Sequence, residues 1–445
     1  MSLLKRKKWS GVFFTEERGL ENKFSGEIDY SPEKGVVLNY LLLDNLDKDE
    51  EVNLLYGFLS TGELCTLVGL YQHRVSELPQ VRDGFASYPG TAYFSMLYIG
   101  AHFEKNVLLN KINFSLTNLQ EFFFPEGRKD FIKYSDKPLF EVKTKYGSIE
   151  VGNSATFNSI YIEKASSLFY NRNKDALDEL QACLTEINKK HKDSSFMLKK
   201  SIAYQLRIKL SSGAKIDSIY KYISELSDLF SILLYCPIFP DEIKVRTEEN
   251  DSHNLSVVMY PSMMLNERTI EQSTRKRSHY HMPITRSNIN LASTIGKWLE
   301  ISENYATLIS SIQNETGYTD LHSTYGELIL YATQLEAISY TESPKNKQKY
   351  LYPIEKYATD EIVKNIYKIL DKHGEKDIGI TISNLRGELA HVGRPRKLLQ
   401  KFSFNEIVNL CQYMQMTIIG FTLTKLGIEK DVISKYQNQF TPDIN

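Results

Sequence analysis

Two patterns of hydrophobic and polar positions divide the chain. From Trp9 to about Ile162, short apolar alternations are broken by Gly, Pro, Asn and Asp, which is typical of antiparallel strands joined by turns. Pro32 to Gly35 forms a candidate hairpin turn. Strand candidates recur at a spacing of about ten residues, which predicts a sandwich or a curled antiparallel sheet. They cover residues 54–59, 64–71, 92–103, 107–116 and 139–146.

The pattern changes after Lys164, where helical and strand periods alternate. Residues 174–190 and 215–236 have helical periods, and the second segment stops before Pro237. Residues 201–210 alternate as a strand. A polar stretch over 266–283 follows, and it predicts a domain boundary.

From about Asn290 onward, helical periods dominate. Apolar residues recur at steps of three and four along 295–312, 325–339, 360–370, 381–391 and 404–421. Short connections between these segments predict an up-and-down helical bundle. The predicted fold class is therefore α+β. A β-rich N-terminal domain (1–163) and its mixed α/β extension with a linker (164–283) precede an all-α helical bundle (284–445).

Composition narrows the class of protein without identifying a partner. The 445 residues include 54 Lys and Arg against 55 Asp and Glu, so contact with nucleic acid requires a local basic patch. A hydrophobic content of 42% and a charged content of 24% are globular averages and exclude a disordered chain. No stretch approaches the ~20 apolar residues of a membrane span, so we expect no membrane contact.

The cysteines indicate a reducing compartment. They lie far apart and form no C-x-x-C pair, which argues against a zinc site or a disulfide framework. The stretch after Lys8 carries charges and lacks the apolar core of a signal peptide. We therefore expect a cytoplasmic protein without a cofactor.

A histidine pair in the predicted linker is a weak metal candidate. His279 and His281 have the H-x-H spacing of two ligands on a strand, next to the basic triplet Arg275–Arg277. No cysteine or further histidine stands nearby in the sequence. We interpret the segment as a solvated linker and predict no metal site.

The strongest chemical motif lies at the end of the fourth bundle helix. Arg386 and His391 stand five residues apart, and the helix-stop residues Gly393 and Pro395 follow. On an ideal helix this spacing separates two side chains by about 140°, which is poor for a shared site. Fraying of the last turn and the reach of an arginine would bring the two groups together.

A basic flank follows the motif, with Glu388 as the single acid between residues 386 and 401. Such a patch is typical of a surface that binds a phosphate backbone. Cations near a helix C-terminus also complement the helix dipole, so a structural role stays open. The flanking cations are Arg394, Arg396, Lys397 and Lys401.

The R-x-x-x-x-H motif in a C-terminal helical bundle resembles the signature of HEPN-domain ribonucleases. The whole chain resembles the ApeA family of bacterial anti-phage proteins, in which a β-rich domain precedes a HEPN domain. In the first half, the matching segments are "WSGVFF", "FSGEIDY", "YGFLSTGELCTLVGLY" and "INFSLTNLQEFFF". In the second half, they are "YGELILYATQLEAISY" and "LRGELAHVGR".

The resemblance implies an endoribonuclease used in abortive infection. The reaction would be metal-independent cleavage of cellular RNA, tRNA for example, by attack of the ribose 2′-OH on the adjacent phosphorus. His391 would act as general acid or base and Arg386 would hold the phosphate. Glu336 would orient Arg386 or His391, with a solvated helix acid as the alternative. Arg394, Arg396, Lys397 and Lys401 would bind flanking phosphates of the RNA.

The resemblance also implies a two-fold homodimer through the bundle, with the β-rich domain sensing a phage-derived trigger. Gly387 departs from the family pattern, because a polar residue is common after the motif arginine. An alternative function is therefore a catalytically degenerate bundle that binds RNA or serves as a dimerisation scaffold.

Overall fold

The computed structural model describes residues 2–16, 19–42, 54–76, 80–82, 85–123, 133–159, 169–192, 197–248, 256–305, 321–343, 348–391 and 393–441. The strands are β1 (Lys7–Phe14), β2 (Phe24–Ser31), β3 (Gly35–Leu42), β4 (Leu54–Leu59), β5 (Leu64–Val75), β6 (Gln80–Arg82), β7 (Phe85–Ile99), β8 (Leu108–Leu116), β9 (Phe140–Thr144), β10 (Gly147–Ser159), β11 (Met197–Lys215), β12 (Pro240–Arg246) and β13 (Val257–Pro261).

The helices concentrate in the second half of the chain. They are α1 (Leu119–Phe123), α2 (Lys174–Lys190), α3 (Tyr220–Leu234), α4 (Glu267–Thr274), α5 (Leu291–Ile301), α6 (Leu321–Glu342), α7 (Leu351–Tyr357), α8 (Asp360–Lys372), α9 (Ile378–Ala390), α10 (Phe404–Lys425) and α11 (Lys430–Phe440). Together with the strands they confirm the predicted α+β class, a β-rich region followed by a helical region.

Six of the antiparallel strands close into a barrel. The order β3-β2-β1-β4-β5-β7 is completed by direct pairing of β7 with β3. The long strand β7 makes closure geometrically feasible, because it pairs with both β3 and β5 and shifts register at a bulge between Leu70 and Gln72 of β5. The predicted antiparallel sheet is present, and part of it curls into a closed structure.

From β7 the sheet continues outward through β13, β12, β8, β11, β10 and β9. Strand β11 lies between β8 and β10, so strands from both of the first two predicted segments share one sheet. Side chains alternate across it as expected for an antiparallel sheet with one solvated face. Ile112 and Leu206 are buried on the inner face, whereas Lys111 and Arg207 face outward.

Helix α3 joins the sheet to the helical region. Apolar residues on nearly all of its sides are buried, and the helix packs against β12 and α5. The Trp298 indole Nε1 donates to the carbonyl of Glu225 at 2.6 Å, and the Tyr436 hydroxyl donates to the carbonyl of Ile232 at 2.5 Å. The hydrophobic core is therefore continuous from the barrel to the last helix.

The helical region is built around α10, which is buried along most of its length and packs against α6, α7, α8 and α11. Its start is fixed by a capping box between Ser403 and Glu406. The predicted helices at 325–339, 360–370, 381–391 and 404–421 correspond to α6, α8, α9 and α10. Helix α5 ends at Ile301 in a 3-10 turn, and residues 306–312 of the predicted first helix lie outside the described residues.

Two details differ from the sequence expectations. His279 and His281 lie in a 3-10 turn rather than on a strand, and neither belongs to a strand of the described sheet. Helices α1, α4, α7 and α11 were not predicted, since each is short and its apolar period covers few turns. Of these, α4 occupies part of the predicted linker over 266–283. Across the described ranges, every helix is too short or too polar to cross a lipid bilayer.

Candidate active site

Local sequence explains where α9 begins and ends. The Asp377 side chain caps its N-terminus by accepting a hydrogen bond from the Ile380 N–H at 2.8 Å. The helix stops at Ala390, and His391 has an extended backbone with φ −111° and ψ 110°. Gly393 follows with a φ of 98°, a conformation that favours glycine. His391 therefore leaves the helix, and the angle of an ideal helix does not govern its position relative to Arg386.

Arg386 is held by two side chains from other elements. Its Nη1 donates to Glu336 Oε2 at 2.9 Å and to the Tyr350 hydroxyl at 3.2 Å. Its Nε is buried and has no hydrogen-bond partner among the described residues. The side chain is 34% exposed, so the guanidinium is oriented by the protein and still meets solvent.

Glu336 on α6 is the acceptor at the centre of this cluster. Besides Arg386, its carboxylate accepts from Lys349 Nζ at 2.6 Å and from the Tyr350 hydroxyl at 3.5 Å. The hydrogen bond from Lys349, then the charges of Lys349 and Arg386, lower the pKa of Glu336 against the opposing effect of burial. The sequence analysis offered Arg386 and His391 as partners of Glu336, and the carboxylate contacts Arg386.

Two members of the cluster escaped the sequence analysis. Tyr350 is 5% exposed, and its hydroxyl bridges Glu336 and Arg386. Lys349 precedes it in the connection before α7. Neither belongs to a periodic segment. The only available signal was the general need of a buried tyrosine hydroxyl for a polar partner.

Glu388 fixes the segment that follows the motif. Its carboxylate accepts hydrogen bonds from the backbone N–H groups of Leu398 and Leu399, both at 2.9 Å. Because Glu388 lies on α9, these bonds tie the far end of the segment 393–398 back to that helix. The single acid of the basic flank therefore has a structural role, which the sequence did not reveal.

The basic flank divides into two groups. Arg394, Arg396 and Lys397 are exposed, and the Arg394 guanidinium lies over Gly387, in the space that a Cβ there would occupy. Lys401 instead pairs with Glu375 at 2.8 Å, so a contact with RNA would have to displace this ion pair. The absent side chain at residue 387 thus leaves room for one of the predicted RNA-binding cations.

His391 is exposed beside this group. Its carbonyl accepts from the Arg394 N–H at 3.2 Å, and its imidazole makes no hydrogen bond within the described part of the chain. The structure thus brings Arg386 and Glu336 into direct contact, with His391 and the exposed cations on the segment that follows α9.

Comparison with known proteins identifies the family. The family described as ApeA N-terminal domain 1 matches residues 8–298, which is more than half of the chain. The chain belongs to the ApeA family. Its ApeA domain covers the barrel, the extended sheet and α3, and it ends within α5. Neither the curated proteins nor the solved structures provide a significant match.

The ApeA assignment indicates an anti-phage defence protein. The candidate site lies beyond the matched residues, in the helical region. Within the described ranges, no group of three or more His, Cys, Asp or Glu side chains has the geometry of a metal site.

Proposed function

We propose that this ApeA protein is an anti-phage effector whose helical region is a HEPN-type endoribonuclease. The single observation that supports this most is the guanidinium of Arg386, held by Glu336 and Tyr350, five residues before an exposed His391. An arginine oriented by a carboxylate, close in sequence to an exposed imidazole, suits a reaction at a phosphate. Cellular RNA, with tRNA as the leading candidate, is the proposed substrate.

In the proposed reaction, the ribose 2′-oxygen attacks the adjacent phosphorus and the bond to the 5′-oxygen breaks. A general base takes the proton of the 2′-OH, and a general acid protonates the leaving 5′-oxygen. The products are a 2′,3′-cyclic phosphate and a free 5′-hydroxyl. His391 supplies one of these proton transfers, since imidazole exchanges protons near neutral pH.

Arg386 has the geometry to stabilise charge on the phosphoryl oxygens. Its Nη1 is engaged by Glu336 and Tyr350, whereas its Nη2 makes no hydrogen bond among the described residues. Because the guanidinium is planar, fixing Nη1 also fixes the direction of Nη2. Donors that are oriented before the substrate arrives lower the cost of reorganisation during the reaction.

The exposed cations after α9 supply the proposed RNA contacts. Arg394, Arg396 and Lys397 lie on the segment whose far end Glu388 ties to α9, and they are exposed to an incoming phosphate backbone. Binding through such contacts weakens as salt rises, because each neutralised phosphate releases counterions. Lys401 contributes to the proposed interface only when RNA replaces Glu375 as its partner.

The direct test is cleavage of total cellular RNA by the purified full-length protein in EDTA. Wild type is expected to produce discrete fragments, whereas Arg386→Ala and His391→Ala are expected to produce none. Matched controls are Arg286→Ala and His281→Ala, which remove an exposed arginine and an exposed histidine outside the site. Equal activity of Arg386→Ala and wild type would contradict the proposal.

We also propose that two copies pair through the helical region, so that Arg386 of one protomer acts with His391 of its partner. Mixing the two inactive variants tests this arrangement. A shared site gives each mixed dimer one intact Arg386–His391 pair, so about one quarter of wild-type activity returns in a random mixture. Sites within single protomers predict no recovery.

Gly387 favours the second candidate, an RNA-binding or dimerisation module without catalysis. Residue 387 itself supplies no side-chain hydrogen bond after Arg386, and the Arg394 guanidinium lies in the space that a side chain there would occupy. This module would bind RNA through the same exposed cations. RNA binding by wild type without cleavage, also after addition of extract from phage-infected cells as a trigger for the ApeA domain, would identify it.

A further inference from the structure

Helix α2 lies in the connection between β10 and β11, at the outer end of the ribbon that these strands form. Ser159 and Met197 pair at that end. Across Lys174–Lys190, no residue of the helix is buried. Short helices are marginal in water on their own, and in proteins most of their stability comes from packing of an apolar face. A helix exposed in this way gains stability when another surface covers it.

The large apolar residues of α2 form one stripe along the helix. They are separated by steps of three, four and three residues, which is the a/d spacing of a coiled coil. On an ideal helix they lie within an arc of about 80°. All of them meet solvent, and Leu180 is 37% exposed. The members of this α2 stripe are Leu177, Leu180, Leu184 and Ile187.

Further apolar side chains are exposed next to α2 in the chain. Phe169 and Tyr170 precede the helix, and Met197 and Leu198 follow it at the start of β11. Their exposed fractions run from 44% to 88%. Apolar surface gathered in this way marks an interaction site more often than isolated apolar residues do. The end of the ribbon is therefore a candidate docking surface.

The charges of α2 fit a second copy of the same helix in the antiparallel direction. The first half carries three acids and one lysine, whereas the second half carries one acid and two lysines. Glu186 pairs with Lys190 at 3.0 Å, so Lys189 supplies the net positive charge of the second half. Antiparallel pairing brings the acidic half of one helix beside the basic half of the other, whereas parallel pairing brings like halves together.

The centre of the α2 stripe also suits a two-fold contact. A register that opposes every stripe residue sets the first against the last, and Leu180 against Leu184, with the two-fold axis level with residue 182. Near such an axis each residue lies close to its own copy, so a charge there would meet a like charge. The side chains that flank the stripe at this level are uncharged, namely Gln181 and Cys183.

We propose that α2 is a self-association surface, through which two copies of the chain pair in an antiparallel, two-fold contact. None of its residues belongs to the candidate active site, so the inference is independent of the proposed nuclease. A two-fold contact at α2, together with a separate one through the helical region, would join chains into assemblies larger than a dimer.

Cys183 reports the contact directly. It is exposed beside the α2 stripe, whereas Cys65, Cys236 and Cys411 are buried. In the proposed pairing, the two copies of Cys183 lie about 3 Å apart along the helix axis, because two residues of helical rise separate their levels. A short bismaleimide should therefore link two full-length wild-type chains into a dimer on a denaturing gel. Cys183→Ser should abolish the link.

Two cysteine variants, made in the Cys183→Ser chain, test the orientation. Ala176→Cys and Lys190→Cys place thiols on the same side of the helix as residue 183, seven residues before and after it. In the antiparallel pairing, copies of residue 176 lie about 18 Å apart along the axis, copies of residue 190 about 24 Å apart, and residues 176 and 190 of different chains about 3 Å apart. Each variant alone should therefore give no link, and a mixture of the two should give one. Parallel pairing predicts the reverse.

Leu180→Glu tests the contribution of the α2 stripe. Leu180 is the most exposed of its members, so the substitution leaves the core of the chain intact. It places a carboxylate where Leu184 of the second copy packs, and we expect association to weaken by about tenfold or more, measured from the concentration dependence of the link at Cys183. The matched control, Leu20→Glu, makes the same change at a residue that is 51% exposed and far from α2 in sequence. It should associate as wild type does.

Three results would overturn the proposal. The first is the absence of a linked wild-type dimer, which would assign the α2 stripe to a partner of different sequence. The second is a link formed by Ala176→Cys alone or by Lys190→Cys alone. The third is an equal weakening of association by Leu180→Glu and Leu20→Glu.

Discussion

The substitution Glu336→Gln isolates the positioning of Arg386 from the presence of Arg386. Glutamine keeps the shape of the side chain and one acceptor oxygen, but it removes the charge that Arg386 and Lys349 contact at 2.9 and 2.6 Å. A hydrogen bond to a charged group is about twice as strong as a neutral one. The change therefore weakens the hold on Arg386 without deleting it.

The size of the effect follows from the exposure of the pair. Both side chains are about one-third exposed, at 34% and 29%, so solvent screens part of the interaction. We expect a loss of about 1 kcal/mol in transition-state stabilisation, which corresponds to roughly a fivefold fall in kcat/KM. Glu336→Ala removes the acceptor entirely and should cost about 2 kcal/mol, or roughly thirtyfold.

The assay is single-turnover cleavage of a defined RNA, with the thermal midpoint measured in parallel. Glu355→Gln is the matched control, because this exposed glutamate on α7 makes no hydrogen bond or ion pair within the described residues. Loss of a negative charge near RNA would by itself tighten binding. A wild-type single-turnover rate constant at saturating protein in both Glu336 variants, with tighter binding only, would refute a positioning role.

Three further predictions follow from side-chain contacts in the helical region. Glu388→Ala should weaken RNA binding several-fold in an anisotropy assay because the basic segment loosens, whereas simple charge removal predicts tighter binding. Gly387→Ala should raise the free energy of unfolding by about 0.8 kcal/mol, because alanine favours a helix more than glycine and the flexible end of Arg394 can move aside. A lower free energy of unfolding would show that the Arg394 guanidinium is firmly held. Hydrogen bonds, chiefly from Lys425, lower the pKa of Glu342 from 4.5 to about 2. The contribution of this carboxylate to the free energy of unfolding is therefore present above pH 4.5 and is lost as the pH falls towards 2. Glu342→Gln should therefore cost on the order of 2 kcal/mol at pH 7 and flatten acid unfolding in that window, and an unchanged acid profile would contradict the assignment.

The architecture of the helical region could be predicted from sequence because its signal is local. Periods of three and four residues over several turns mark α6, α8, α9 and α10, and these helices are present. Closure of the barrel depends instead on the pairing of β3 with β7, which are separated by two intervening strands of the barrel. Such long-range pairing leaves no periodic trace in either strand.

The same division between local and long-range features applies to the candidate site. Arg386 and His391 form a local motif, and the choice of Glu336 rested on a resemblance. The contacts of Tyr350 and Glu388 depend on how separate elements pack, so they became visible only in the structure. The position of His391 also depends on its backbone conformation, which is extended. The angle between side chains on an ideal helix therefore does not apply to Arg386 and His391.

The most direct test of the proposed chemistry is the identity of the RNA ends. Fragments made by the wild-type protein in EDTA are mapped, and a substrate with a single 2′-deoxyribose at the mapped position is then compared with the all-ribose RNA. Attack by the 2′-OH predicts 2′,3′-cyclic phosphate ends, no cleavage of the deoxy substrate and no cleavage by His391→Ala. Linear 3′-hydroxyl ends, or equal cleavage of both substrates, would contradict the account.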